Sequence, residues 1–264
     1  MLSWLGGRLT GALPARNRPR LYHFPVDWFS EGNVLRYFSL LPALGLLTVS
    51  VALRAQDAEF KSHYKGTPYE DARYKGGAQA VPGRVECAYY DRGGPGVAYF
   101  DTTEKNLGSG GLNPADGNYL NQFRMDESVD TSYTKFHDQI DNNPYNMVKP
   151  PENQLYVGWT EPGEWFNITV KTKRAGTYKA DLLYTSNRGG VLSMDVNGFP
   201  ESGPLNVVST FNASDPIAWR QWHHWNLQRD FVRLQLPEGE SVLTIHILTQ
   251  GNMNLAYFDF KEVK

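Results

Sequence analysis

Glu161 and Glu164 are the pair of carboxylates that would first suggest catalysis. Glycosidases place two carboxyl groups on either side of one scissile bond at a defined separation. Here both fall within the single turn Thr160-Glu161-Pro162-Gly163-Glu164, so neither is read as catalytic. His223-His224, beside Trp222, would suggest a metal. Adjacent residues on a strand point to opposite faces, however, and no third ligand follows at metal-site spacing. Surface or loop histidines are expected instead. Gly93-Gly94-Pro95-Gly96 is glycine-rich but lacks the Lys-Ser/Thr of a phosphate loop, and reads as a turn. The single cysteine, Cys87, excludes an intrachain disulfide. It sits in an apolar run and reads as a small buried hydrophobe. No nucleophile–base pair emerges, and the chain is expected not to be an enzyme.

The elements that would position a site are strands. With 41% of its residues hydrophobic and 13% aromatic, the 264-residue chain can build a sizeable core. A net charge of −2 implies no nucleic-acid partner. Phe166, Ile168 and Val170 alternate with Asn167, Thr169 and Lys171; Tyr178, Ala180, Leu182 and Tyr184 share a face, as do Leu192, Met194 and Val196. Further runs cover 231–236, 242–248 and 255–260, separated by turn signals such as Asn197-Gly198 and Pro237-Glu238-Gly239. Several short strands at this spacing predict an all-β fold, an antiparallel β-sandwich. Residues 101–154 are different: rich in Asn, Asp, Gly and Pro, without periodicity. So long a loop in a compact domain is functional or an insertion.

Residues 38–53 form a charge-free apolar run of about 16 residues, short of the roughly 20 that a membrane span needs. Arg36 precedes it and Ala55 closes it. This reads as a signal-peptide core with cleavage near Ala55, so 1–55 is a leader, its start codon mis-called, and the product is secreted. An uncleaved anchor is the alternative. Residues 56–81 read as an extended lead-in, and the sandwich occupies 82–264.

With strands and turns in place, the chain resembles family 6 carbohydrate-binding modules. The matching stretches are Pro82-Gly83-Arg84-Val85-Glu86, Gly93 to Thr103, Phe123-Arg124 with Val129-Asp130, and Val157-Gly158-Trp159-Thr160-Glu161-Pro162-Gly163-Glu164-Trp165. Ala175-Gly176-Thr177-Tyr178, Trp219-Arg220-Gln221-Trp222, and Met253-Asn254-Leu255 before Phe258-Asp259-Phe260 follow in family order. The resemblance implies a galactose-binding-like jelly roll that binds polysaccharide or oligosaccharide and is usually appended to a glycoside hydrolase. It also implies a loop-end site: Trp159 and Trp219 as stacking walls, and Asn254 as hydrogen-bonding partner of sugar hydroxyls. For Trp159 a core position competes evenly with a binding one. Trp165, Trp222 and Trp225 are expected in the core.

The chain departs from that pattern where relatives hold a structural calcium. Their Glu-Ala-Glu becomes Glu86-Cys87-Ala88, and Ala256 stands where an acid or amide is usual. Glu86 could still hold an ion with backbone carbonyls, but no cofactor is expected. Besides a monomeric, free-standing carbohydrate-binding protein, two other functions stay open: a glycoside hydrolase accessory or catalytic domain, and a protein-adhesion sandwich.

Overall fold

The period-two runs become long strands because one side of each can be buried against a second sheet. A computed structural model describes residues 57–264. The leader expected over 1–55 lies outside the described residues. In chain order the strands are β1 (Gln79–Val81), β2 (Gly83–Glu86), β3 (Tyr99–Phe100), β4 (Thr131–Tyr133), β5 (Leu155–Val157), β6 (Trp165–Thr172) and β7 (Gly176–Ser186). They continue with β8 (Gly190–Val196), β9 (Phe199–Pro200), β10 (Leu205–Val207), β11 (Asn226–Leu236), β12 (Gly239–Thr249) and β13 (Met253–Glu262). One sheet runs β1-β6-β12-β8-β10, with β3 also on β6 and β9 on β8; the other runs β11-β7-β13-β5-β4, with β2 on β13. Pairing is antiparallel except for β1, which lies parallel to β6. The chain is an all-β sandwich, as the alternation predicted.

The alternating residues meet in one core. Phe166, Ile168 and Val170 of β6, Leu192 and Met194 of β8, and Tyr178, Leu182 and Tyr184 of β7 belong to a single buried cluster. The opposite side of β6 is covered too. Asn167 and Thr169 are buried, because Asp91 accepts from the Thr169 amide at 2.7 Å and its hydroxyl at 2.6 Å, and the Asn167 side chain donates to the Val97 carbonyl at 3.0 Å. The turn read at Asn197-Gly198 joins β8 to β9 with both residues at positive φ, +51° and +76°, the geometry that a tight hairpin of this twist demands.

The lead-in expected over 56–81 is more than a tether. Residues 57–63 are helical. The Tyr64 hydroxyl donates to Asp91 at 2.7 Å, Tyr69 is buried against Tyr89 and Phe123, and β1 adds an edge strand before residue 82. Tyrosines without strand periodicity can still dock by ring stacking, which the alternation pattern cannot register.

Residues 101–154 contain little regular structure but are firmly tied. The Asn106 Oδ1 atom accepts from the amides of Gly108, Ser109 and Thr131 at 3.0, 2.9 and 3.1 Å. Arg124 is buried, donates to the carbonyls of Tyr90 and Asp91, and lies 3.3 Å from the Tyr90 ring centroid. The outward face of the second sheet carries its own apolar cluster of Tyr156, Leu183, Trp225, Ala256 and Tyr257. That face is where the long segment and the loop before β11 come together.

Candidate functional site

The loop 209–225 leaves the sandwich as an excursion and returns with Trp219-Arg220-Gln221-Trp222-His223-His224-Trp225. Its anchor is Asp215. The carboxylate accepts from Arg220 Nε at 2.7 Å and Nη2 at 3.0 Å, from His224 Nε2 at 2.9 Å and from the Ile217 amide at 3.0 Å. Hydrogen bonding from the guanidinium leads in holding this carboxyl well below the usual range. Arg220 also donates to the Gln139 carbonyl at 2.8 Å, and the Tyr145 hydroxyl to the Ser214 carbonyl at 3.0 Å. Both contacts clamp this loop to the 101–154 segment.

His223 is the hub on the other side. Asn254 donates through Nδ2 to His223 Nδ1 at 3.1 Å, which leaves Nε2–H to donate to Asp141 Oδ1 at 2.7 Å. The same Asp141 oxygen accepts the Trp225 indole N–H at 2.7 Å, and Oδ2 accepts the Lys135 amide at 2.7 Å. Burial alone would raise the Asp141 carboxyl; the hydrogen bonds from His223, the Lys135 amide and the Trp225 indole outweigh it and hold it below the ordinary value. The imidazole meets Trp219, Trp222, Trp225 and Tyr156 edge-on, at centroid distances of 6.3, 5.5, 5.9 and 6.2 Å.

Around this hub lies a cavity of about 730 Å³. Its apolar wall includes Trp159, Trp219, Trp222, Tyr133 and Tyr156; Asn113, Ser132, Lys135, His223 and the carboxylate of Asp141 are among the residues of its polar margin. Trp219 sits on a 3-10 turn, Ala218–Arg220, and is 55% exposed. Trp159 takes φ +47°, a region that costs a bulky residue roughly 1–2 kcal/mol. The close approach of the neighbouring backbone requires glycine at 108, where a Cβ would lie 2.2 Å from the Thr131 carbonyl oxygen and 2.8 Å from the Trp159 ring.

The structure thus brings two of the three expected site residues, Trp159 and Trp219, into one cavity. Asn254 does not line it. It is buried, donates to Thr185 Oγ1 at 2.9 Å and to His223, and its Oδ1 has no partner among the described residues. Its reach into the cavity is through His223. The expectation of surface histidines is corrected: His223 and His224 are both buried, each on its own acid, because both sides of this stretch are covered. Trp225 is fully buried as expected, but Trp222 and Trp165 are only half-buried, and Trp222 is cavity wall rather than core. Lys135, Asp141 and Tyr133 carried no signal in the sequence.

Trp159 also borders a second cavity of about 690 Å³, lined by Asp130, Glu161, Glu164, Thr102 and Gln250 among others. Glu164 is fully engaged, accepting from Thr102 N and Oγ1 at 3.1 and 2.7 Å and from the Glu161 amide at 2.7 Å. Burial, with the charges of Asp101, Glu164 and Glu161 adding, pushes the Asp130 carboxyl up to about 7 despite the Leu107 amide that donates to it. Glu86, the one residue that could have kept a calcium, accepts from Gln154 Nε2 at 2.6 Å. Among the described residues no group of three or more acidic, histidine or cysteine side chains is placed to hold a metal. Ala88 and Ala256 are fully buried beside β2 and on β13.

No protein-family model matches the chain, and no curated protein does. In its arrangement of strands it is similar to several solved structures. One is the module CsCBM6-3 from Clostridium stercorarium in complex with cellobiose: 10% identity, 71% of this chain and 99% of that one, TM-score 0.42. A β-1,3-glucan binding family 6 module from Bacillus halodurans gives 12% identity over 70% and 98%, TM-score 0.39. A glycoside hydrolase family 43 arabinoxylan arabinofuranohydrolase from Bacillus subtilis gives 15% identity over 70% of this chain, TM-score 0.40; this chain spans 28% of that enzyme's length. Among the described residues no helix is long and apolar enough to cross a membrane.

Proposed function

We propose that this protein binds a carbohydrate, without transforming it, in the cavity between Trp159 and Trp219. The observation that carries the reading is three indoles, Trp159, Trp219 and Trp222, on one cavity whose margin carries Asn113, Ser132, Lys135 and His223. Sugars offer flat C–H patches to aromatic rings and hydroxyls to directional polar groups, and this wall supplies both. The sequence resemblance to family 6 modules points the same way. Secretion, a monomeric state and delivery of an associated glycoside hydrolase to its polysaccharide belong to this reading.

Titration calorimetry against oligosaccharides chosen from a glycan array tests it. Trp219→Ala should weaken binding by at least about tenfold, the loss of one stacking contact of about 1.4 kcal/mol. Its melting temperature should stay near wild type, because the exposed ring leaves no core void. Undiminished binding in this variant refutes the site. A second reading, hydrolysis, rests on the place of Asp130 in the second cavity beside Trp159, Glu161 and Glu164, where its raised carboxyl, at about 7, would suit a general acid. Release of reducing sugar that disappears in Asp130→Asn would establish it over simple binding.

A further inference from the structure

Lys135 is a cation without an acid. Its Nζ donates to Asn113 Oδ1 at 2.8 Å and to Ser132 Oγ at 3.4 Å, both neutral, and sits 4.4 Å from the Tyr133 ring centroid. All four residues line the indole cavity. Among the described residues no carboxylate lies within ion-pair distance of this ammonium, whereas the buried arginines Arg124 and Arg220 are paired, Arg124 with Glu127 and Arg220 with Asp215. Asp141 lines the same cavity and its field reaches the ammonium, but it makes no ion pair with Nζ, and both its oxygens are engaged, one by His223 and Trp225 and the other by the Lys135 backbone amide.

We infer that the cavity selects an anionic sugar, one bearing a carboxylate or sulfate group, with Lys135 as its counter-ion. The inference rests on the carbohydrate reading above and specifies its ligand. An ammonium has three donors, of which two are engaged. Partial burial without an acid is unfavourable for it and pulls its proton affinity down. A neutral sugar would complete that burial with no compensating charge beyond the field of Asp141. An anion would take the third donor in a charge-assisted hydrogen bond, the stronger class. The geometry is fixed in advance: the Lys135 amide is held by Asp141, and its head by Asn113 and Ser132, so little side-chain freedom remains to be lost on binding. A single ammonium is a point charge rather than a planar fork, so it accepts either kind of acid group.

The test is calorimetry on the full chain with three probes: oligogalacturonates for the carboxylate, sulfated carrageenan oligosaccharides for the sulfate, and neutral xylo- and β-gluco-oligosaccharides. One acidic set should bind at least about tenfold more tightly than the neutral sets, which corresponds to one charge-assisted bond. Added salt should weaken that binding. Lys135→Met should abolish both the preference and the salt dependence, and Lys135→Arg should restore part of each, which separates charge from any effect on folding. Neutral sugars bound as tightly as acidic ones, an unchanged preference in Lys135→Met, or no binding of any acidic glycan overturns the inference. In the first two cases, continued sensitivity to Trp219→Ala leaves the carbohydrate reading standing. Binding of no glycan at all, or binding indifferent to Trp219→Ala, removes that reading as well.

Discussion

His223 donates through Nε2 to Asp141 Oδ1 at 2.7 Å, joining residues 82 apart in the chain. The bond fastens the loop before β11 to the irregular segment 101–154. Asp141 also accepts from the Trp225 indole and the Lys135 amide, so one carboxylate sets the positions of a cavity-wall imidazole, a buried indole and the cavity-lining residue Lys135.

Asp141→Ala should therefore be among the most destabilising single changes in the chain. It leaves three donors buried without a partner, and removing one member of a buried charged network costs about 3–5 kcal/mol. The Asp141 carboxyl is held below its ordinary value in the fold. Its contribution is thus present above the unfolded value near 3.9 and lost as pH falls through the lower folded value. Urea denaturation of wild type and Asp141→Ala at pH 7 and at pH 3 checks both points. The gap between the two proteins should be wide at pH 7 and narrower at pH 3, and equal gaps would contradict the network.

Asp130 predicts the opposite pH behaviour. Its folded value of about 7 stands above that of an unfolded aspartate. The folded state therefore binds the proton more tightly, and this group's contribution falls as pH rises from about 4 to about 7. Asp130→Asn keeps an acceptor for the Leu107 amide and removes the titration. The variant should be at least as stable as wild type at pH 8, with the difference shrinking toward pH 4.5. Melting curves across that range measure it. A wild-type advantage at pH 8 would mean that the Asp130 charge is compensated within the fold.

These two acids also mark where the sequence stops being informative. The strands β6, β8 and β12 were legible because each alternates and its alternate residues enter one core, as do Tyr178, Ala180, Leu182 and Tyr184 of β7; β13 does so only on either side of an irregularity between Leu255 and Tyr257. Trp219 was legible through its place in Trp-x-x-Trp, and Trp159 through Val-Gly-Trp. Trp222 was misjudged as core because an indole's size suits an interior and a cavity wall equally. His223, Asp141 and Lys135 were beyond reach: the contacts of His223 with Asp141 and Asn254, and of Lys135 with Asn113, span tens of residues across segments without periodicity, and Asn, Asp and Gly in a loop read the same whether they shape a site or merely turn the chain. Asn254 shows the limit of a family position carried over by type. The residue is there, but the structure turns it toward Thr185 and His223 rather than the cavity.

Trp159 holds its ring at the junction of both cavities by adopting φ +47°. Comparing two truncations separates the ring from the backbone. Trp159→Gly and Trp159→Ala both delete the stacking surface, so each should weaken glycan binding by about tenfold or more. They differ in strain: glycine accepts positive φ freely, whereas alanine keeps the Cβ clash that wild-type tryptophan also carries. The glycine variant should accordingly be the more stable of the two by about 1 kcal/mol, despite its larger unfolded-state entropy. Chemical denaturation midpoints, read at equal slope, decide the order. If alanine proves the more stable, the segment relaxes once the ring is gone, and the conformation at Trp159 is then a consequence of the ring's packing against Gly108 rather than a constraint imposed by the backbone around it.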